Sequence, residues 1–215
     1  VFQRTVLDQG FYPDGIWTAP TDAALKGDIE LSMAAGYNGA RLLQKVFEPR
    51  FLYWADKLGY LVWGEFPNWG FNYRPENYAN YLNEWVEVLL RDRNHPSIVG
   101  WCPFNESGPG AVEIQNIVWH TTKAIDPTRP LLETSGWVHG VASAEVRDDH
   151  DYNQNPANFK QRWLDFFAQR GGIIVPVRYG VTSRGRDLGV PFMVSAFGGI
   201  GWAPQGGSRQ GRGPA

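Results

Sequence analysis

The sequence predicts an α/β fold, a TIM (β/α)8-type barrel that is incomplete at its C-terminus because no eighth strand is evident. Three observations predict it. Short β-like runs alternate with amphipathic helical stretches, the order of parallel βαβ units. Seven such units follow one another in series. Polar side chains recur after the strands, where a barrel of this kind keeps its functional groups.

VFQRTVL, residues 1–7, reads as the first strand, and TDAALKGDIELSMAAG as a helix that starts at a Thr or Asp cap and stops at Gly36. GARLLQ is the second strand, and EPRFLYWADKLG a helix ending at Gly59. YLVWGEF follows as the third strand, apolar enough to be buried on both faces. ENYANYLNEWVEVLLRDRNHPS, residues 76–97, is a long helix broken by Pro96, and SIVGWCPFNE, residues 97–106, is the fourth strand. AVEIQNIVWHTTKAID is its helix, PLLETSGW the fifth strand and DDHDYN the end of a sixth. NFKQRWLDFFAQRG is a helix, residues 171–190 a long loop, and PFMVSAFGG the seventh strand. The closing GWAPQGGSRQGRGPA is too rich in Gly, Pro and polar residues for a buried strand. Residues 1–202 are therefore expected to form the barrel, and 203–215 a flexible tail.

The chain has 215 residues, 43% hydrophobic and 20% charged, which fits one ordinary globular domain. Its formal net charge is −2 and its basic residues form no stripe, so a nucleic-acid partner is not expected. No run approaches the about 20 apolar residues that cross a bilayer, and the N-terminus lacks the regions of a signal peptide. A soluble protein is expected, with its compartment open. The single cysteine, Cys102, lies in an apolar run before Pro103 and reads as a buried structural thiol. Aromatics make up 14% of the chain, with ten Trp, many beside Asn, Gly or acidic residues. Indoles stack on sugar rings and also fill cores, and composition does not separate the two.

Read in order, the strand ends carry Asp8 and Gln9; Arg41, Gln44 and Lys45; Glu65; Asn105 and Glu106; Trp137 and His139; His150, Asp151 and Tyr152; Ser195 and Ala196. Converging on one rim, they make a pocket of carboxylates, amides, indoles and an arginine, suited to a polyhydroxylated ring. A carbohydrate is therefore the expected partner. Asn105-Glu106 is the sharpest local signal. A protonated glutamate against an apolar wall can hand its proton to a glycosidic oxygen, and an adjacent asparagine can bond a sugar hydroxyl. His150 and Asp151 with Glu106 lack a metal-ligand spacing, and Ser107 and Ser195 lack an identifiable histidine partner, so neither a metal site nor a serine triad is expected. No cofactor is called for.

Three ordered segments, YNGARLLQKVFEPRFLYWADKLGYLVWGE, RDRNHPSIVGWCPFNE and PFMVSAFGGIGW, resemble glycoside hydrolase family 2, the family of β-galactosidases, β-glucuronidases and β-mannosidases. The resemblance runs from the first strand to the seventh. It implies a retaining enzyme with two carboxylates, an acid/base ending strand four and a nucleophile ending strand seven. Glu106 matches the first, and Ala196 stands at the second. An alanine has no lone pair for an anomeric carbon, so inactivation or a non-catalytic carbohydrate-binding descendant is implied. Family members commonly carry a histidine where this chain has Leu43. The resemblance also implies further domains in a longer parent chain.

Arg41 and Asn105 are expected to position the sugar, Trp137, Tyr152 and Trp202 to line its subsite, and Glu65, His150 and Asp151 to complete the pocket. An inverting reaction with Asp151 or Glu65 as base is a further alternative. The particular sugar stays open.

Overall fold

The computed structural model describes residues 1–168 and 190–199. Its strands are β1 (Thr5–Asp8), β2 (Gly39–Leu42), β3 (Leu61–Glu65), β4 (Ile98–Cys102), β5 (Asn105–Ser107), β6 (Ser135–Trp137), β7 (Arg147–Asp151) and β8 (Phe192–Phe197). The helices are α1 (Asp22–Ala34), α2 (Pro49–Leu58), α3 (Tyr78–Asp92), α4 (Val112–Ile125) and α5 (Pro156–Ala168). Strands β1 to β4 form one sheet in chain order, β5 pairs with β6, and β7 with β8, every pairing parallel. This is the expected α/β barrel architecture, with seven staves among the described residues because β4 and β5 are two parts of one. The segment 201–215, expected to lack an eighth strand, lies outside the described residues, as does the 203–215 tail within it.

Three boundaries differ from expectation. The fourth strand divides at Pro103, which has no N–H for a ladder. β4 pairs with β3 and β5 with β6, while Leu132 N–H donates to Trp101 O and Ser135 N–H to Phe104 O across the division. The helix expected over 76–97 stops at Asp92, well before Pro96, and His95 N–H turns back to Asp92 O. The first strand starts at Thr5, leaving Val1 and Phe2 exposed.

Hydrophobic burial holds the barrel in two layers. Between strands and helices lie Phe51, Leu52, Trp85, Leu89, Trp101 and Phe104. Tyr81 stacks on Phe104 at 4.9 Å, and Trp85 meets Trp101 edge-on at 5.7 Å. Inside the barrel, Trp63, Cys102, Leu132 and Val146 make a smaller cluster. The core reading of the aromatics thus holds for Trp63, Trp85, Trp101 and Trp163, while Trp17, Trp69 and Trp137 are exposed.

A reciprocal fit locks β3 to β4. Trp63 pairs with Gly100 and Gly64 with Trp101, so each indole lies where its partner has no side chain. A Cβ on Gly100 would fall 2.4 Å from the Trp63 ring, and one on Gly64 would fall 2.7 Å from the Trp101 ring. Gly100→Ala and Gly64→Ala are each expected to destabilise the fold by about 1–3 kcal/mol through overpacking. Gly27→Ala, within α1 with open space around it, is expected to raise stability by about 0.5–1 kcal/mol. Chemical denaturation of the three variants measures both signs.

Candidate active site

Arg41, on β2, lies deep in the site. It is 2% exposed, and its Nη1 donates to Glu65 Oε2 at 2.9 Å. Nη1 and Nη2 both donate to Asn105 Oδ1 at 3.1 Å. Burial raises the Glu65 carboxyl above its ordinary range, and the Arg41 charge offsets part of that rise. The amide of Asn105 is oriented by these bonds: its oxygen faces Arg41, and its nitrogen is the end turned away.

Beyond β3 the chain braces Asn105 with side chains in place of a strand. Asn105 N–H donates to Asn68 Oδ1 at 2.8 Å, and Asn68 Nδ2 donates to Asn105 O at 3.1 Å, the exchange a ladder partner would make. Gln44 holds Asn68 in turn: its Nε2 donates to Asn68 Oδ1 at 2.7 Å, and its Oε1 accepts from the N–H groups of Asn68 and Trp69. Lys45 Nζ donates to Gly10 O and Trp17 O, so its ammonium ties down the loop after β1.

Three strand-end residues stand in left-handed backbone: Gln44 at φ 55°, Glu106 at φ 51° and Trp137 at φ 62°. For side chains of this size that geometry costs about 1 kcal/mol or more each and concentrates at functional sites. Glu106 Oε1 lies 3.0 Å from His150 Nδ1 and accepts from Tyr152 OH at 3.3 Å. Trp137 ends β6, whose register sets it opposite Ser107, and it is 39% exposed.

Ala196 is buried on β8 and pairs in the ladder with His150. Between the pairs Asp149 with Val194 and His150 with Ala196, β8 contains one extra residue, Ser195. Such a bulge re-aims side chains beside it. The Ser195 hydroxyl donates to Asp148 Oδ2 and lies 2.7 Å from Ser135 Oγ.

The structure thus brings Arg41, Glu65 and Asn105 into one hydrogen-bonded group and Glu106, His150 and Tyr152 into another, the two joined through the Asn105–Glu106 peptide. Asp151 is directed elsewhere. Its carboxylate accepts from Trp163 Nε1 at 3.0 Å and lies 3.4 Å from Arg162 Nη1, both on α5, so it anchors that helix on the outer face of β7. Successive strand residues point to opposite faces, which puts His150 inward and Asp151 outward. Trp202 lies outside the described residues. Asn68, Ser135 and Asp148 were not among the expected site residues. No signal in the sequence marks Asn68, whose role appears only where β5 lacks a ladder partner on the β3 side.

Under this rim lies a buried ionic group. His139 Nδ1 is 3.1 Å from Glu133 Oε1, its Nε2 is 3.0 Å from Asp148 Oδ1, and Arg147 Nη1 is 3.2 Å from Glu133 Oε1. Burial alone would lower the His139 imidazole, but its bonds to Asp148 and Glu133 dominate and push it up to about 10. Among the described residues, no cluster of three or more His, Cys, Asp or Glu is arranged to hold a metal ion. Nor is any described helix long and apolar enough to cross a membrane.

Residues 19–149, which include Asn105 and Glu106, match the family described as glycosyl hydrolases family 2, TIM barrel domain. The chain belongs to glycoside hydrolase family 2. A β-galactosidase of Vibrio cholerae is 29% identical over 130 residues, covering 57% of this chain and 12% of that protein. A β-glucuronidase of Rattus norvegicus is 31% identical over 117 residues, 50% of this chain and 18% of its own. Among solved structures, a β-galacturonidase from Eisenbergiella tayi bound to galacturonate superposes with a TM-score of 0.74 at 19% identity, over 94% of this chain and 36% of that one. The chain therefore spans a small part of these relatives.

Because folded His139 keeps its proton where an unfolded histidine, at 6.5, has lost it, its stabilisation is complete below about pH 6.5. It is lost as pH rises toward about 10. The urea midpoint is expected to fall across that window, and His139→Gln to flatten the fall while lowering stability at neutral pH.

Proposed function

We propose that this chain is the catalytic barrel of a retaining β-glycosidase in which the nucleophile is replaced. Glu106 is the general acid/base, and Ala196 stands where the attacking carboxylate would be. Asn105 offers its amide nitrogen to a sugar hydroxyl, with Arg41 and Glu65 holding it in place. Tyr152 and Trp137 line the subsite. The whole is one domain of a longer carbohydrate-active protein.

One observation carries this reading: His150 bonds Glu106 through its side chain and pairs with Ala196 through its backbone. The carboxylate and the alanine are thereby both neighbours of a single residue. Retaining chemistry needs two carboxyl groups about 5–5.5 Å apart, one on each side of the scissile bond. Here one of the two is missing, and a small anion can take its place. Azide would attack the anomeric carbon as the glycosidic C–O bond breaks. The bonding pair stays on the departing oxygen, which takes the proton of Glu106, and a glycosyl azide and an alcohol are the products.

Asp151 and Glu65 suit the inverting alternative poorly. The first is bound to α5 and the second to Arg41. Lys45 and Arg41 are also engaged within the protein. The buried alanine itself favours a second reading, a non-catalytic sugar binder.

The test is hydrolysis of aryl β-galactosides, β-glucuronides and β-mannosides with and without azide, by the chain and by Ala196→Glu. Azide is expected to restore turnover with one sugar, and Ala196→Glu to hydrolyse the same sugar at least about 10³-fold faster than the parent, the scale of a restored nucleophile. Sugar binding without turnover by either protein would favour the binder and overturn the catalytic reading.

A further inference from the structure

His150 is held on every side. Its Nδ1 lies 3.0 Å from Glu106 Oε1, and its Nε2 lies 2.9 Å from Ser135 Oγ. The Tyr152 ring meets it edge-on at 5.9 Å. Its ring also fills the space beside Gly136, where a Cβ would fall 2.7 Å from Nε2. Beyond Ser135 the contacts continue inward. Ser135 Oγ lies 2.7 Å from Ser195 Oγ and 3.2 Å from Asp148 Oδ2, and the Ser195 hydroxyl donates to Asp148 Oδ2.

The protons along this path can be counted. Burial pushes the Asp148 carboxyl up, but the bond and charge of His139 outweigh it and hold the group below the usual carboxylate range. Asp148 is therefore an acceptor only, and it also takes the Gly136 N–H. The single proton of Ser195 goes to Asp148. The single proton of Ser135 is directed at Asp148 Oδ2, to which its hydroxyl donates at 3.2 Å. Ser135 then has none left for His150, and the 2.9 Å contact is a hydrogen bond when Nε2 carries the hydrogen.

We infer that the Asp148–Ser195–Ser135 path fixes His150 as its Nε2–H tautomer, so that Nδ1 and Glu106 Oε1 share one proton. His150 is thus a positioning residue. It keeps the acid's proton in place and its carboxyl oriented until a leaving-group oxygen displaces Nδ1 as the acceptor. The pair then becomes a carboxylate beside a neutral imidazole, with the proton on the departing alcohol. Tyr152 OH, donating to the same Oε1, steadies the carboxyl in both states. The use of this proton rests on the glycosidase reading; the tautomer does not.

Nitrogen-15 NMR of the histidine-labelled chain tests it, with the His150 signals assigned among the four histidines by comparison with His150→Gln. The expected spectrum has Nε2 in the protonated range and Nδ1 displaced toward the unprotonated one. Ser135→Ala, or Ser195→Ala should the first not fold, is expected to shift the tautomer toward Nδ1–H. In azide-supported turnover, Ser135→Ala is expected to slow alkyl β-glycosides, which need the acid, by about tenfold while changing activated aryl glycosides by less than about twofold. A bare Nε2 in the parent chain overturns the inference, as does a tautomer unmoved in both serine variants. Azide turnover with a bare Nε2 removes this inference alone. An Nε2–H spectrum without turnover removes the glycosidase reading and leaves the tautomer standing.

Discussion

The buried guanidinium of Arg41 is the point from which the site is built. It reaches Glu65 on β3 and Asn105 on β5 at once, tying together two strands that share no ladder. An uncompensated charge at that depth would cost several kcal/mol, so the position of each partner is strictly imposed. Asn105 is held at Oδ1 by Arg41 and along its backbone by Asn68, and the next residue, Glu106, is turned into left-handed backbone with its carboxyl toward His150. The strain there is sustained by the bonds that hold Asn105 and by those of the Glu106 carboxyl to His150 and Tyr152.

A second ionic arrangement does for β6 and β7 what Arg41 does for β3 and β5. Those strands pair through no backbone ladder among the described residues. Asp148 accepts the Gly136 N–H and contacts His139, while Arg147 reaches Glu133. Together Arg41, His139 and Arg147 face Glu65, Glu133 and Asp148. The interior beneath the rim is therefore polar and laced with ion pairs.

Much of this could be read from the sequence, for identifiable reasons. Parallel strands buried on both faces leave dense apolar runs such as YLVWGEF, and helix ends are marked by residues such as Gly59, which is left-handed at the end of α2. The polar residues that follow each strand were visible too, since loops begin there. Their directions were not. Whether His150 or Asp151 faces inward depends on pleat phase, and the bulge at Ser195 is a property of two strands together. Asn68 stayed hidden because its role is to replace a ladder partner, a need that exists only once β5 has left β3. The fourth strand reads straight through Pro103 in the sequence, so neither the break there nor the change of partner that follows it was legible.

The most direct measurement is the anomeric configuration of the glycosyl azide formed from a β-glycoside. If Glu106 protonates the leaving group and azide occupies the space beside Ala196, azide attacks the face opposite the departing alcohol, and the product is the α-azide. A β-azide would place the anion on the side of Glu106 and contradict the assignment of both positions.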